Sequence, residues 1–267
     1  MLRWLPGLIL TLLLAAPGWA QGRIASDCIA LAAMAPQTVP VRFDLSDDQV
    51  RIRYIQHASF AIEGSGLQVV TDYAGVLGKA EAVPDVVTMN NAHDSHFTDH
   101  PDKRIPLVLR GWGQGGRAAE IDLDLGGMRI RNVTTDLRGP FGEGARRNGN
   151  SIFIFEVAGL CIGHLSHLHQ IPTPAQYAAI GRLDVVMVPV DGAFTMDVAD
   201  MADVVRHLHP RIILPMHWFT EAGLARFLVQ LQDDATIVVA EGSQIVVSRA
   251  TLPQRPEVVV LQPEVAP

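Results

Sequence analysis

The amino-acid sequence predicts an α+β fold, an αββα sandwich in which two mixed β-sheets pack together with helices outside them. The first half of the chain is strand-like and contains three hairpin patterns, whereas the second half alternates helical and strand-like segments. No long linker separates the halves. Two packed sheets with flanking helices bury the apolar faces of both halves in one structure.

The first 20 residues have the pattern of a secretory signal peptide. Arg3 supplies a positive charge, residues 8–16 form a short apolar run, and small residues lead up to Ala20, after which we expect cleavage. The alternative is a membrane anchor, but the apolar run is well short of the roughly 20 residues of a spanning helix. We therefore expect residues 21–267 to form a single periplasmic domain with no membrane attachment after cleavage.

The composition is that of a folded domain with little affinity for polyanions. Of the 267 residues, 48% are hydrophobic, enough for a substantial core. The formal net charge is -7 and no basic cluster exceeds a pair, which argues against binding to nucleic acid or to an anionic membrane. After export, Cys28 and Cys161 would meet an oxidising compartment, and we expect a disulfide between them; the alternative is two unpaired buried thiols.

Each element of the first half follows from a local pattern. Ser26 to Met34 could form a short helix that ends before Pro36. Alternation and turn residues predict the remaining elements of this half: a strand over residues 50–55, a hairpin over 60–63 and 67–71, a strand over 85–89, a short strand over 107–109, a hairpin over 119–133, and a hairpin over 151–157 and 160–162. Residues 138–150 are rich in Gly and Arg and show no period, so we expect a long surface loop there.

In the second half of the chain, hydrophobic residues recur at helical spacing in several segments, with apolar strand-like runs between them. Helical spacing predicts helices over residues 174–180, 197–208 and 221–231, and apolar runs predict strands over 185–190, 212–216, 236–240 and 244–247. The tail from Leu252 contains four prolines, and we expect it to be extended and loosely held.

The ten histidines suggest a metal site, because several of them follow predicted strands. Loops that follow strands of one sheet can meet on one side, and neutral imidazole is a common metal ligand. The candidate ligands are His93, His96, His167, His169 and His217. The alternative is that they are core or surface histidines bonded to the backbone. His57 also follows a strand, whereas His207 and His209 lie at a helix end, where imidazole suits the last carbonyls.

Four segments of the chain resemble the metallo-β-lactamase-fold hydrolases, and specifically the branch of L-ascorbate-6-phosphate lactonase. In order they are residues 55–72 (IQHASF and a hairpin ending in Asp), 85–96 (DVVTMNNAHDSH), 164–169 (HLSHLH), and 184–192 (DVVMVPVDG) followed by 215–217 (PMH). The resemblance implies a metallo-β-lactamase fold over nearly all of the mature chain and a metal-dependent hydrolase activity.

The same segments depart from the family pattern at its metal ligands. Asn91 and Ser95 stand where the family has the first His and the Asp of its metal motif, and His167 stands where it has a bridging Asp. The third His of the first metal position is absent, and Asp136 is the only ligand type nearby. Two adjacent cations need carboxylates to bridge them. The resemblance therefore implies one ion, held by His96, His167 and His217 with His93 or His169 as a fourth ligand. We expect zinc, although imidazole also suits copper, iron and nickel.

Three functions remain open on the sequence. The first is an exported hydrolase that activates water against an ester, lactone, amide or phosphodiester of a small-molecule substrate. In that case His57 could face the substrate, and Asp94, Asp191 or a histidine outside the ligand set would act as general base. The second is a metal-binding protein without turnover, and the third is a metal-free pseudoenzyme. The sequence does not indicate the oligomeric state.

Overall fold

The structure is a computed structural model, and it describes residues 26, 28–29, 45–79, 82–113, 115, 117–138 and 145–265. The expected signal peptide and most of the helix expected over residues 26–34 lie outside the described residues. In chain order the elements are β1 (Gln49–Gln56), β2 (Ser59–Gly64), β3 (Leu67–Val70), β4 (Val86–Met89), β5 (Leu107–Arg110), β6 (Asp122–Asp124), β7 (Met128–Arg138), β8 (Ala145–Val157), β9 (Leu160–His164), α1 (Pro174–Ile180), β10 (Val185–Pro189), α2 (Val198–Leu208), β11 (Ile212–Met216), α3 (Glu221–Leu231), β12 (Thr236–Val239), β13 (Gln244–Ser248) and β14 (Glu257–Val260).

The strands form two mixed sheets, as predicted. One has six strands in the order β13-β1-β2-β3-β4-β5, and the other has eight in the order β12-β14-β11-β10-β9-β8-β7-β6. Within the larger sheet, β9, β10 and β11 are parallel neighbours, and within the smaller one β3 is parallel to β4. Strands that run the same way end at the same edge, so the loops after these five strands start along one edge of the sandwich.

Alternating side chains on the central strands explain how the layers pack. In β8, Phe153 and Phe155 face the smaller sheet, whereas Ile152 and Ile154 face the helices, and all four are fully buried. Successive strand residues point to opposite faces, so a strand buried on both sides reads as a continuous apolar run. Full burial of one such side chain contributes roughly 1.5–3 kcal/mol.

The helices all pack on the eight-stranded sheet in the part of the chain that the structure describes. Their buried residues join the cluster on that sheet's outer face, among them Ile180 of α1, Val204 of α2 and Phe227 of α3. The outer face of the six-stranded sheet is covered instead by loop side chains, including Tyr73 and Ile105. The sandwich of two mixed sheets is confirmed, with its described helices on one side. No helix among the described residues is long and apolar enough to cross a membrane.

Local sequence signals fix the helix ends. The Thr173 side chain accepts from the Gln176 backbone N–H in a capping box at the start of α1, and Asp197 caps α2. At the end of α2, His209 is the C-cap in a left-handed conformation, and His207 stacks on Tyr177 with ring centroids 3.8 Å apart. These two histidines lie at the helix end, as predicted.

Two expectations for the chain segments were wrong. The loop expected over residues 138–150 is wrong at both ends, because β7 extends to Arg138 and β8 begins at Ala145; residues 139–144 lie outside the described residues. Residues 145–147 are exposed, so this part of β8 pairs through its backbone and has no apolar alternation that the sequence could reveal. The tail is not loose, because β14 inserts between β11 and β12 as a parallel strand of the larger sheet. Prolines bracket this short strand but leave its Glu257–Val260 backbone free to pair.

The expected disulfide is confirmed. Cys28 and Cys161 are bonded, with their Cα atoms 5.8 Å apart, and both residues are buried against β9 and α1. The Cys28 carbonyl also accepts a hydrogen bond of 3.0 Å from the backbone N–H of Arg182. The bond therefore anchors the N-terminal segment to the middle of the larger sheet.

Candidate metal centre

Polar side chains follow the strands that end at the shared edge of the sandwich. Each of five strands contributes one residue from the loop that follows it, and a sixth residue comes from the turn between β1 and β2. The six are Asp72 after β3, His96 after β4, His167 after β9, Asp191 after β10, His217 after β11 and, in the turn, His57. The topology therefore brings residues from distant parts of the sequence to one place.

Four imidazole rings from these loops form one cluster. The ring centroids of His96, His167 and His217 lie 4.7, 5.1 and 5.3 Å from one another. The ring of His57 lies 4.1 Å from that of His217 and 5.2 Å from that of His96. The structure thus brings together three of the predicted metal ligands and adds His57, which sequence reasoning placed facing the substrate.

A buried carboxylate orients His96. The Oδ2 atom of Asp72 lies 2.8 Å from Nδ1 of His96, and Asp72 also accepts bonds from the Ser166 hydroxyl at 3.0 Å and the Asn90 backbone N–H at 3.1 Å. Burial raises the pKa of Asp72 to about 6 and, together with the neighbouring imidazoles, holds the pKa of His96 well below its usual value. At neutral pH the His96 ring therefore donates from Nδ1 and presents the lone pair of Nε2 to the cluster.

A second carboxylate orients His217 in the same way. The Oδ2 atom of Asp191 lies 2.9 Å from Nδ1 of His217, and its Oδ1 atom accepts three backbone N–H groups from Ala193, Phe194 and Thr195 at 2.6–3.1 Å. Burial would raise the pKa of Asp191, but the bonds from His217, the Thr195 hydroxyl and the backbone outweigh it and hold that pKa below its usual range. His217 therefore also presents Nε2 to the cluster.

His57 and His217 are held together through their backbones. The carbonyl of His57 accepts the backbone N–H of His217 and the hydroxyl of Tyr54, each at 2.8 Å. Both histidines have left-handed backbone conformations, with φ of 48° and 55°, which a non-glycine residue adopts at a cost of about 1–3 kcal/mol. Such strain persists where the surrounding contacts require it, here to aim two side chains into one cluster.

Burial and hydrogen bonding determine how the ring nitrogens of the cluster are paired. Burial, followed by the neighbouring imidazoles, lowers the pKa of His57 to about 3 and also depresses the pKa of His167. The Nε2 atom of His57 is buried and has no hydrogen-bond partner among the described residues. Nδ1 of His167 lies 2.9 Å from Nε2 of His96. Because Nε2 of His96 is the acceptor, Nδ1 of His167 donates in this contact, and Nε2 of His57 is left as the buried cluster nitrogen without a partner among the described residues.

The donor geometry fits one metal ion. Donor nitrogens of His57, His96 and His217 all lie within 4.8 Å of one another. Two nitrogens bound to one tetrahedral zinc ion at 2.0–2.1 Å are roughly 3.3 Å apart, so small ring rotations bring this set to bonding distance. Carboxylates that hold the outer nitrogen of ligating imidazoles are a general feature of metal centres. A cation bound by these rings would satisfy the buried Nε2 of His57 or displace the proton that His167 donates to His96.

The remaining predicted ligands lie at the periphery. His93 is exposed, its ring lies 5.8 Å from that of His96 and 5.7 Å from that of His167, and its Nδ1 contacts the Ser95 hydroxyl at 2.9 Å. His169 lies 4.8 Å from His167, and its Nδ1 accepts the Arg138 backbone N–H at 2.7 Å. Neither imidazole is hydrogen-bonded to the ring of His96 or His217, although the His93 carbonyl accepts the backbone N–H of His96 at 2.7 Å.

The two carboxylates predicted as general bases occupy different positions. Asp94 is exposed on the loop after β4. Asp191 lies behind His217, and both of its oxygens already accept hydrogen bonds. This arrangement suits holding His217 in place, and the proposal that either carboxylate takes a proton from water stays a prediction.

A second ion does not fit the residues at the first position of the family motif. Asn91 is buried, pairs with Asn150 in an isolated β-bridge, and its carboxamide atoms have no partner among the described residues. Asp136 accepts the Asn148 backbone N–H at 2.8 Å and so is engaged within the β7–β8 ribbon. A neutral amide cannot bridge or offset two cations, so the donor set supports one ion.

Sequence reasoning missed the supporting residues around the cluster. Asp72 was noted only as the end of a strand, and Ser166 and Asn90 were not singled out. His164 is fully buried, donates from Nε2 to the Ala58 carbonyl at 2.7 Å and accepts the Asn90 amide at 2.9 Å, so both of its nitrogens are engaged. The available signal for Asp72 was its position at a strand end, which it shares with the histidines.

Comparison with known proteins identifies the class. A family model described as the beta-lactamase superfamily domain matches residues 51–217, more than half of the chain and the span that holds the whole cluster. The chain therefore belongs to the metallo-β-lactamase superfamily, and the fold inferred from the four sequence segments is confirmed.

Individual relatives agree with this assignment. The chain is 25% identical over 222 residues to a UPF0173 metal-dependent hydrolase of Thermococcus kodakarensis, a match covering 72% of this chain and 96% of that protein. A homologue from Carboxydothermus hydrogenoformans with the same description is 24% identical over 206 residues, covering 69% of this chain and 91% of that protein. A crystal structure from Thermotoga maritima, described as a Zn-dependent hydrolase of the metallo-beta-lactamase superfamily, superposes with a TM-score of 0.56 at 26% identity and covers 79% of this chain and 98% of that chain. These relatives do not single out the L-ascorbate-6-phosphate lactonase branch, which stays a prediction.

Proposed function

We propose that this protein is an exported hydrolase with one transition-metal ion, most simply zinc, bound by His96, His167 and His217. It would activate water against an ester, lactone, amide or phosphodiester of a small molecule. One observation carries the proposal: Asp72 and Asp191 each hold Nδ1 of a cluster histidine, which leaves Nε2 of His96 and His217 as the nitrogens available to a metal. The relatives described as metal-dependent hydrolases support the reaction class.

We choose His167 as the third ligand rather than His57, although the donor nitrogens that lie within 4.8 Å of one another are those of His57, His96 and His217. Its Nδ1 lies 2.9 Å from Nε2 of His96, and it occupies the position of a ligating Asp in the family pattern. His57 is less buried than the other three rings, so it lies between the cluster and solvent. A site with three histidine ligands and one open position is the usual form of catalytic zinc.

A divalent ion in such a site supplies a water of near-neutral pKa and polarises the substrate oxygen. The protein residues do the remaining work. Asp72 and Asp191 hold the two ligand rings in the tautomer that binds metal, and burial lowers the pKa of His96 so that its ring stays neutral. His57, whose buried Nε2 has no partner among the described residues, would accept a hydrogen bond from that water and orient it towards the substrate.

Export is part of the proposal, and the disulfide supports it. A bond between Cys28 and Cys161 persists in an oxidising compartment and is uncommon in the cytosol. The signal-like pattern of residues 1–20 agrees with such a destination. N-terminal sequencing of protein recovered from the periplasm should begin at Gln21, and recovery only from the cytoplasm with Met1 intact would contradict export.

The test of function separates metal binding from turnover. We expect one equivalent of metal in wild-type protein by inductively coupled plasma mass spectrometry, and hydrolysis of at least one member of an ester, lactone, amide and phosphodiester panel. The variant His167→Ala should lose metal, whereas His57→Ala should keep it and lose kcat. Retention of metal by His167→Ala together with its loss from His57→Ala would show that the ligand set is wrong.

A second candidate function is metal binding without turnover. The observation that favours it is the imidazole of His167 at a position where the family resemblance places a carboxylate. Tight binding of one ion, combined with no hydrolysis of any compound in the panel, would support this candidate over the hydrolase.

A further inference from the structure

Two exposed phenylalanines stand beside the histidine cluster. Phe194 is 66% and Phe219 51% exposed, and in the described part of the chain they are the exposed aromatic side chains among the large hydrophobic residues. Their ring centroids lie 5.7 Å apart in an edge-to-face arrangement. We call this pair the aromatic rim. Single exposed apolar residues are common, but two phenylalanines in contact with each other at the edge of a polar site need a reason.

The rim is in direct contact with the proposed catalytic residues. The ring of Phe219 lies 5.2 Å from that of His217 and 5.7 Å from that of His57. Phe219 follows β11 two residues after His217, so the strand that places the ligand also places the rim. A substrate bound at these two histidines would therefore lie next to Phe219.

The other half of the rim is held by the same network that orients His217. The backbone N–H of Phe194 donates to Oδ1 of Asp191 at 2.6 Å. The guanidinium of Arg138 donates to the carbonyls of Ala193 and Thr195 at 3.1 and 2.7 Å, one residue on each side of Phe194. The loop is therefore fixed from both sides, and the exposed ring is held in place by the backbone rather than by burial.

We propose that the aromatic rim binds an apolar group of the substrate, a medium-length alkyl chain or an aromatic ring next to the scissile bond. This inference rests on the proposed function, because it places that group beside the metal-activated water. The guanidinium of Arg138 lies near the rim, but it already donates to the backbone carbonyls on either side of Phe194. The rim thus favours an uncharged apolar acyl or aryl substrate over a sugar phosphate.

The test uses metal-directed ligands, so that it does not depend on turnover. Acetohydroxamate and octanohydroxamate carry the same metal-binding group and differ in their alkyl chain. Burying even two methylene groups against the rim is worth roughly tenfold in a dissociation constant. We expect calorimetric titration of zinc-loaded wild-type protein to show octanohydroxamate binding at least about tenfold more tightly, and the double variant Phe194→Ala/Phe219→Ala to reduce that preference below about threefold.

A matched control separates a local contact from a general loss of apolar surface. Val229 is 58% exposed and lies ten residues beyond Phe219, on α3. The variant Val229→Ala should leave the octanohydroxamate preference unchanged. Both variants should unfold within about 0.5 kcal/mol of wild type, since truncating exposed side chains away from the core costs little.

Four results would overturn the inference. The first is an equal affinity of zinc-loaded wild-type protein for the two hydroxamates, which would leave the metal site, and hence the proposed function, intact. The second is a wild-type dimer that becomes monomeric in the double variant by light scattering, since a second copy would then cover the rim. The third is a wild-type protein that sediments together with phosphatidylcholine vesicles, combined with a double variant that no longer does so. If the protein binds no metal, it is the proposed function that fails, and the rim is then tested with the apolar dye anilinonaphthalene sulfonate. Equal dye binding by the wild-type protein and the double variant is the fourth result that would overturn the inference.

Discussion

The substitution Asp191→Asn isolates the role of the carboxylate behind His217. The asparagine has the size of the aspartate, and its Oδ1 can keep the three backbone hydrogen bonds of 2.6–3.1 Å from Ala193, Phe194 and Thr195. The loop should therefore stay folded. The change is confined to the second carboxylate oxygen, which accepts the Thr195 hydroxyl and faces Nδ1 of His217 across 2.9 Å. In the variant it becomes an N–H donor, and the Thr195 hydroxyl can turn to accept from it.

Two donors cannot share that contact. His217 relieves the conflict by moving its proton from Nδ1 to Nε2, and the Nε2 proton then occupies the lone pair that would bind metal. Removing a partner of this kind costs about 10–100-fold in metal affinity, or about 1.4–2.8 kcal/mol. We expect the dissociation constant for zinc to rise by that factor in Asp191→Asn, with little change in the free energy of unfolding of the metal-free protein.

Competition with a chromophoric zinc chelator at neutral pH measures this constant directly. The control is Asp197→Asn, because Asp197 is an exposed cap of α2 and asparagine caps helices equally well. A folded Asp191→Asn variant that binds zinc within about twofold of wild type would refute the reasoning that Asp191 selects the binding tautomer of His217.

Two further predictions concern stability. The double variant Cys28→Ser/Cys161→Ser should lower the free energy of unfolding in urea by about 5 kcal/mol, because the bond joins residues 133 apart and restricts the unfolded chain; a loss below about 1 kcal/mol would contradict this. In the metal-free protein, the pKa values of His57 and His169 are about 3 and about 4, below those of histidine in the unfolded chain. Their contribution to the free energy of unfolding is therefore complete above pH 6.5 and is lost as the pH drops towards 4. The raised pKa of Asp72 favours the folded state as the pH falls below 6, but this is one group against several histidines. Urea midpoints that stay constant or rise on acidification would therefore contradict the account.

Much of the fold could be predicted because the central strands carry strong local signals. The run over residues 185–190 reads as a strand buried on both faces, and in β10 the side chains alternate between the two hydrophobic clusters as that reading requires. The strand β14 was missed for a physical reason. A four-residue strand bracketed by prolines gives little periodic signal, and its place inside the sheet depends on partners from β11 and β12 that are distant in the sequence.

The histidine cluster was predictable from strand ends, whereas its internal order was not. The sequence places His96, His167 and His217 after strands, and topology alone then brings them together. Which nitrogen each ring presents depends on Asp72 and Asp191, and neither pairing has a sequence signature. The position of His57 depends likewise on a left-handed turn whose carbonyl accepts the N–H of His217, a contact between residues 160 positions apart.

Anomalous diffraction at the zinc edge from crystals of zinc-loaded protein tests the central claim most directly. The account predicts one peak per chain, with Nε2 of His96, Nε2 of His217 and Nδ1 of His167 each at about 2.0–2.1 Å from it. Two peaks about 3.5–4 Å apart would contradict the single-ion site. A peak out of reach of these three nitrogens, or none at full zinc loading, would contradict the account as a whole.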